Sequence, residues 1–282
     1  MSLELLSEHR CFDGIQRFYR HDSAEIGLPM RFSVFIPPQA QQGPVPVLFF
    51  LAGLTCTEET FMIKAGAQQY AAQHGVMLVT PDTSPRGAGA PGEDDHWDFG
   101  TGAGFYLDAT QQPWNKHYRM ESYIVQELRS IVTTDLPGNA DQVGIFGHSM
   151  GGHGALVLAQ RYPQYFRSVS AFAPVAAPMQ CPWGHKAFTA YLGADQTAWA
   201  AYDASALMEK SQQPFPQGIL VDQGLADNFL EQQLYPQAFE AACAAANQPL
   251  TLRRHEGYDH GYYFISTFMQ DHVAFHAKNL RA

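Results

Sequence analysis

The sequence predicts an α/β fold in one domain, with a mostly parallel central sheet flanked by helices. Three observations point there. Apolar runs of strand length recur along the chain with helical patterns between them. The runs at Val45 to Ala52 and Val76 to Thr80 do not alternate with polar residues, as expected of strands covered on both faces. Of 282 residues 46% are hydrophobic, with 19 Phe and 13 Tyr, so a sizeable core can form without a metal or disulfide staple.

Taken in order, Met30 to Ile36 alternates and stops at Pro37-Pro38, and the core sheet is expected to begin with Val45 to Ala52. A helical stretch over Phe61 to His74 then leads to the strand at Val76 to Thr80, a succession that implies a right-handed parallel crossover. Residues 81–117 form a long loop rich in Gly, Pro and Asp that carries Trp97, Phe99, Phe105 and Tyr106. A helix is predicted from Tyr118 to about Thr134, a strand from Val143 to Gly147, and a helix from Gly151 towards Arg161. Ser168 to Ala173 reads as a strand, and residues 174–216, Pro-rich and aromatic, read as an insertion over the site. Strand Gly218 to Asp222, a helix over Glu231 to Ala246, strand Leu250 to His255 and a helix from Tyr262 complete the pattern.

The net charge of −10 repels a polyphosphate, and the 17 Lys and Arg residues form no runs, so nucleic acid is not an expected partner. A small anionic substrate stays open, because local cations and backbone amides can reverse the potential inside a cleft. The four cysteines show no CxxC spacing and the first residues are charged where a secretory signal is apolar, which fits reduced thiols in a cytoplasm. No apolar run reaches the roughly twenty residues of a membrane-spanning helix.

The chemistry concentrates at Gly147-His148-Ser149-Met150-Gly151-Gly152. This is G-x-S-x-G between a short apolar strand and a helix, the setting of the nucleophile elbow in the α/β-hydrolase fold. Small residues at 147 and 151 let neighbouring backbone pass close to a sharp turn, and the amide of Met150 falls at a helix N-terminus, where partial positive charge suits an oxyanion. A serine hydroxyl needs a base to remove its proton during attack. The order serine, acid, histidine selects His260, on the loop between the last strand and the last helix, over His255 within the strand. His272 and His276 are four apart on a helix but lack the Glu of an HExxH pattern, and read as solvated helix histidines. For the acid, Asp227 lies far enough into its loop to turn back towards His260; Asp222, at the strand end, is the competitor, and Asp259 is adjacent to the base. The amide of Leu54, after an early strand, is the expected second oxyanion donor, with Cys56 in the same loop as a packing residue close to the site. None of this chemistry calls for a cofactor or a metal.

Together with the elbow, the blocks Gly53 to Glu59, Pro81 to Gly87, Gly102 to Leu107, Val221 to Gly224 and Gly257 to His260 resemble the S-formylglutathione hydrolases, the esterase D family. The resemblance covers almost the whole chain. It implies hydrolysis of S-formylglutathione to formate and glutathione, the hydrolytic step of glutathione-dependent formaldehyde removal. It also implies Ser149 as nucleophile, Asp227 as acid, His260 as base, and Leu54 and Met150 as oxyanion donors. A homodimer is plausible from the same resemblance, although no sequence pattern defines an interface.

Two other reaction classes share this triad: hydrolysis of short-chain carboxylesters, and acyl transfer to an alcohol or thiol in place of water. The groups that would hold glutathione are not marked by any motif. Lys64, Arg86 and Lys186 are candidates from their place in loops near the cleft, and Trp97, Phe105 and Trp183 are candidates for lining an acyl or thiol pocket.

Overall fold

A computed structural model describes residues 3–211 and 215–282; positions 212–214 of the expected insertion lie outside the described residues. Among the described residues nine strands form one sheet: β1 (Glu4–Cys11), β2 (Gly14–Asp22), β3 (Pro29–Ile36), β4 (Val45–Leu51), β5 (Met77–Pro81), β6 (Gly138–His148), β7 (Ser168–Phe172), β8 (Ile219–Gly224) and β9 (Leu250–His255). Their order is β1-β2-β3-β5-β4-β6-β7-β8-β9. The pairs from β1 to β5 are antiparallel, and every pair from β5 to β9 is parallel.

Parallel neighbours need crossovers, and helices supply them. They are α1 (Glu58–Lys64), α2 (Ala67–His74), α3 (Met120–Ser122), α4 (Arg129–Thr134), α5 (Met150–Arg161), α6 (Pro182–Leu192), α7 (Gln196–Trp199), α8 (Ala204–Glu209), α9 (Pro236–Ala245) and α10 (Tyr262–Asn279). α10 packs on α2, while α5 packs on α8 and α8 on α9. Strands β4, β5, β7 and β8 are buried along their whole length, so both faces of the parallel half are covered. The rings of Phe50, Phe61 and Phe146 meet in that core, Phe50 stacked on Phe61 at 3.7 Å.

Two expected helices are each broken in two, for visible local reasons. The stretch before β5 divides into α1 and α2 because Gly66 takes a left-handed conformation between them. The stretch after β8 begins as a π-helical turn, Leu230–Leu234, and restarts as α9 after Tyr235, at φ 52°, and Pro236. α3 continues through a π-helical segment, Tyr123–Leu128, into α4. That segment anchors the connection from β2 to β3: Tyr123 meets His21 Nε2 at 3.1 Å, and the buried Glu127 carboxylate accepts from the Ser23 hydroxyl and the Ala24 amide.

The strand order reverses at β4, with β5 on one side and β6 on the other. In such sheets the loops leaving the carboxyl ends of the strands at the reversal open a crevice. Here they are the Gly53–Leu54 loop after β4 and the Ser149 turn after β6, joined by the loops after β8 and β9.

Candidate active site

β6 runs into α5 with one residue between them. Ser149 sits there at φ 57° and ψ −120°, a conformation that L-residues rarely adopt and that the surrounding backbone must hold. The hold is visible: Ser149 N donates to the Phe172 carbonyl at 3.0 Å, and the Ser149 carbonyl accepts from His153 N and Val175 N. The turn also demands close approach. A Cβ at Gly151 would lie 1.9 Å from the Leu51 carbonyl oxygen, and one at Gly53 would lie 3.2 Å from Ser149 Cβ. Gly53 therefore brings the loop after β4 against the serine. The amides of Leu54 and Met150 have no acceptor among the described residues, and Met150 opens α5, so both N–H groups are free for a developing oxyanion.

His260, after β9, presents Nδ1 to Asp227 Oδ2 at 2.5 Å. The other Asp227 oxygen accepts from the Phe229 amide at 2.8 Å, and Gln223 Nε2 lies 3.3 Å from Oδ2. With its carboxylate so committed, Asp227 can fix the tautomer that leaves His260 Nε2 free to accept a proton. Ser149 Oγ makes no hydrogen bond to another described residue, a looseness common before substrate binds.

Asp222 is placed elsewhere. It is fully buried and takes a bidentate pair from Arg253, with His272 Nε2 at 3.1 Å and His255 Nε2 at 3.2 Å. Burial opposes its ionisation, but hydrogen bonds from His272 and Arg253 prevail and hold the carboxyl below the usual range. His272 and His276 are correspondingly not solvated, as the sequence pattern suggests, but fully buried. Ser170 Oγ meets His272 Nδ1 and His276 Nε2, each at 2.8 Å, and Ser168 Oγ meets His276 Nδ1. Asp259 accepts from the Gly261 amide within its own loop.

The remaining sequence candidates divide by location. Trp183 is buried against Phe229, centroids 4.8 Å apart, and Phe229 meets His260 edge-on at 5.0 Å; Trp97, more than half exposed, stands edge-on to Trp183 at 5.8 Å. These rings form an aromatic wall leading to the histidine. Phe105 is fully buried between His153 and Phe188, in the core. Arg86 is bound to Asp82 and to the Cys56 carbonyl, and Lys186 to Asp98 at 2.5 Å, so both hold loops in place. Lys64 lies over the Tyr262 ring at 5.8 Å. Cys56 is partly buried, and burial raises its thiol above the ordinary value. All four cysteines are free.

Three residues next to the site escaped the sequence reading. Phe229 touches both Asp227 and His260 and carries no motif signal of its own, while Gln223, which reaches Asp227, lies in the Val221 to Gly224 block without having been singled out. His148, buried beside the serine, has its ring centroid 4.4 Å from that of His260. Its signal was a polar residue ending an otherwise apolar strand.

The "Esterase" family model matches residues 23–275. An S-formylglutathione hydrolase from Rattus norvegicus is 50% identical over the full length of both chains, and one from Paracoccus denitrificans is 49% identical over 99% of each. The solved structure of an S-formylglutathione hydrolase from Agrobacterium tumefaciens superposes with a TM-score of 0.95 at 46% identity, covering 98% of this chain and 99% of that one. With a family model over most of its length and relatives at half identity from end to end, this chain belongs to the S-formylglutathione hydrolase family of esterases.

Proposed function

We propose that the chain hydrolyses S-formylglutathione to formate and glutathione through a formyl-enzyme on Ser149. Ser149 Oγ attacks the thioester carbonyl carbon while His260 Nε2 takes the hydroxyl proton, and Asp227 stabilises the imidazolium that results. The tetrahedral oxyanion accepts hydrogen bonds from the amides of Leu54 and Met150. The C–S bond then breaks and glutathione leaves as the thiol, with the proton from His260. A water molecule next gives a proton to His260 and attacks the formyl carbon. Collapse of the second tetrahedral species returns the proton to Ser149 and releases formate. A thiolate leaves more readily than an alkoxide, so His260 matters more as the base that activates water than as the acid that assists departure.

The observation that carries this reading is the Asp227–His260 bond beside a serine held at positive φ, with two amides free for an oxyanion. The substrate follows from the relatives, whose names specify the glutathione thioester. Free cysteines suit a cytoplasmic setting, and among the described residues no helix is long and apolar enough to cross a membrane.

The test is kcat/KM for S-formylglutathione against p-nitrophenyl acetate, each with and without added alcohol or thiol acceptor. The proposal requires a strong preference for the thioester and release of free formate whether or not an acceptor is present. Preference for the oxygen ester would make the chain a general carboxylesterase, and partition to the acceptor would make it an acyltransferase.

A further inference from the structure

His148 is chemically out of place as a strand residue. The residue is 6% exposed, and neither ring nitrogen has a hydrogen-bond partner among the described residues. An apolar side chain of similar size would fill this space without leaving polar atoms unpaired. The ring stands directly before the nucleophile at the end of β6 and faces both the side chain and the main chain of His260. It is tilted 48° to the His260 ring.

From this placement we infer that His148 is a positioning residue for the base: a neutral, dipolar ring that holds the His260 imidazole against Asp227 and stabilises the imidazolium formed during attack. The groups around His260 are few. From the loop after β8 come Asp227 and Phe229, and from β6 comes His148. On its own loop Asp259 is turned to the Gly261 amide. Tyr262, at the start of α10, lies 6.3 Å from the His148 ring, and Lys64 lies over the Tyr262 ring at 5.8 Å. His148 can thus place a dipole beside the His260 ring without adding a competing charge. Burial and the charge that His260 gains both favour its neutral form and outweigh the opposing contact with the His260 main chain.

The inference rests on the assignment of Ser149 and His260 above, and the experiment separates the two. Steady-state kinetics with p-nitrophenyl acetate and S-formylglutathione would be measured from pH 5 to 9 for wild type, Ser149→Ala, His148→Phe and His148→Asn. An apolar ring at 148 disfavours the imidazolium. His148→Phe should therefore lower kcat about tenfold with KM within about threefold. It should also move the acid limb of kcat/KM roughly half a pH unit lower. His148→Asn, which keeps a neutral dipole, should recover most of the rate and the wild-type limb. If His148→Phe has wild-type kcat and an unmoved limb, the inference falls while the triad stands; if Ser149→Ala stays active, the triad itself falls. Should His148→Phe not fold, imidazole NMR of the wild-type protein decides. The inference requires His148 to stay neutral while its signals respond to protonation of His260, and a His148 that gains a proton as His260 does, or gives no response, overturns it.

Discussion

Removing the charge of Asp227 and of Asp222 in turn, by Asp227→Asn and Asp222→Asn, should damage different properties of the protein. Asp227 accepts from His260 Nδ1 at 2.5 Å, and the His260 side chain is 17% exposed. An asparagine there can donate where the carboxylate accepts, which favours the unproductive tautomer. The comparable change in a serine protease triad costs about ten-thousandfold in kcat, roughly 5 kcal/mol of transition-state stabilisation. The stability cost should be smaller than at Asp222, because an asparagine can still accept from the Phe229 amide and leaves no arginine without its counter-charge. Asp222 is fully buried and bound to Arg253 and His272, and its loss strands a buried histidine and an arginine that is 32% exposed. Breaking a buried pair costs about 3–5 kcal/mol, and the partial exposure of Arg253 argues for the lower end. At about 3 kcal/mol the Tm of a chain this size should fall by roughly 5 °C. Thermal unfolding and p-nitrophenyl acetate turnover, measured on both variants, distinguish the roles. Loss of turnover in a well-folded Asp222→Asn protein, with Asp227→Asn still active, would refute the assignment of the acid.

Two further outcomes follow from packing and burial. Gly151→Ala should yield little folded protein, or one with under about 1% of wild-type turnover, because its Cβ would lie 1.9 Å from the Leu51 carbonyl at the elbow; turnover and solubility check this. Burial holds the His153 imidazole at about 4, below its ordinary 6.5, so between these values the unfolded chain binds a proton that the folded chain does not. Stability is therefore fully present above about pH 6.5 and is lost as pH falls towards 4, by on the order of 3 kcal/mol from this residue. Urea unfolding across that range should show the loss, and His153→Gln should flatten the slope; an unchanged slope would contradict it.

The parts of the fold that sequence revealed are those where one physical constraint acts alone. β4 and β5 announce themselves as apolar runs because both faces are covered, and the elbow because only small residues fit beside Ser149. β1 gives no such signal: it is mostly exposed on both faces, so neither an apolar run nor a strict alternation marks it, and pairing with β2 defines it. The breaks at Gly66 and at Tyr235-Pro236 are backbone events that an apolar period passes over. Chain order pointed to Ser149, Asp227 and His260, of which the structure joins Asp227 to His260, whereas the surroundings of Asp222, His272 and His276 depended on α10 docking over β7 and β8. Loop position likewise could not separate Trp183, on the wall beside Phe229, from Phe105, which the fold directs into the core.

The central claim is that Ser149 carries the acyl group between the two half-reactions. Acid quenching of the enzyme during turnover of p-nitrophenyl acetate, followed by peptide mass analysis, tests it most directly. The account predicts one acetyl group on the peptide containing Ser149 and none in Ser149→Ala. Acetyl on another residue, or full turnover by Ser149→Ala, would contradict it.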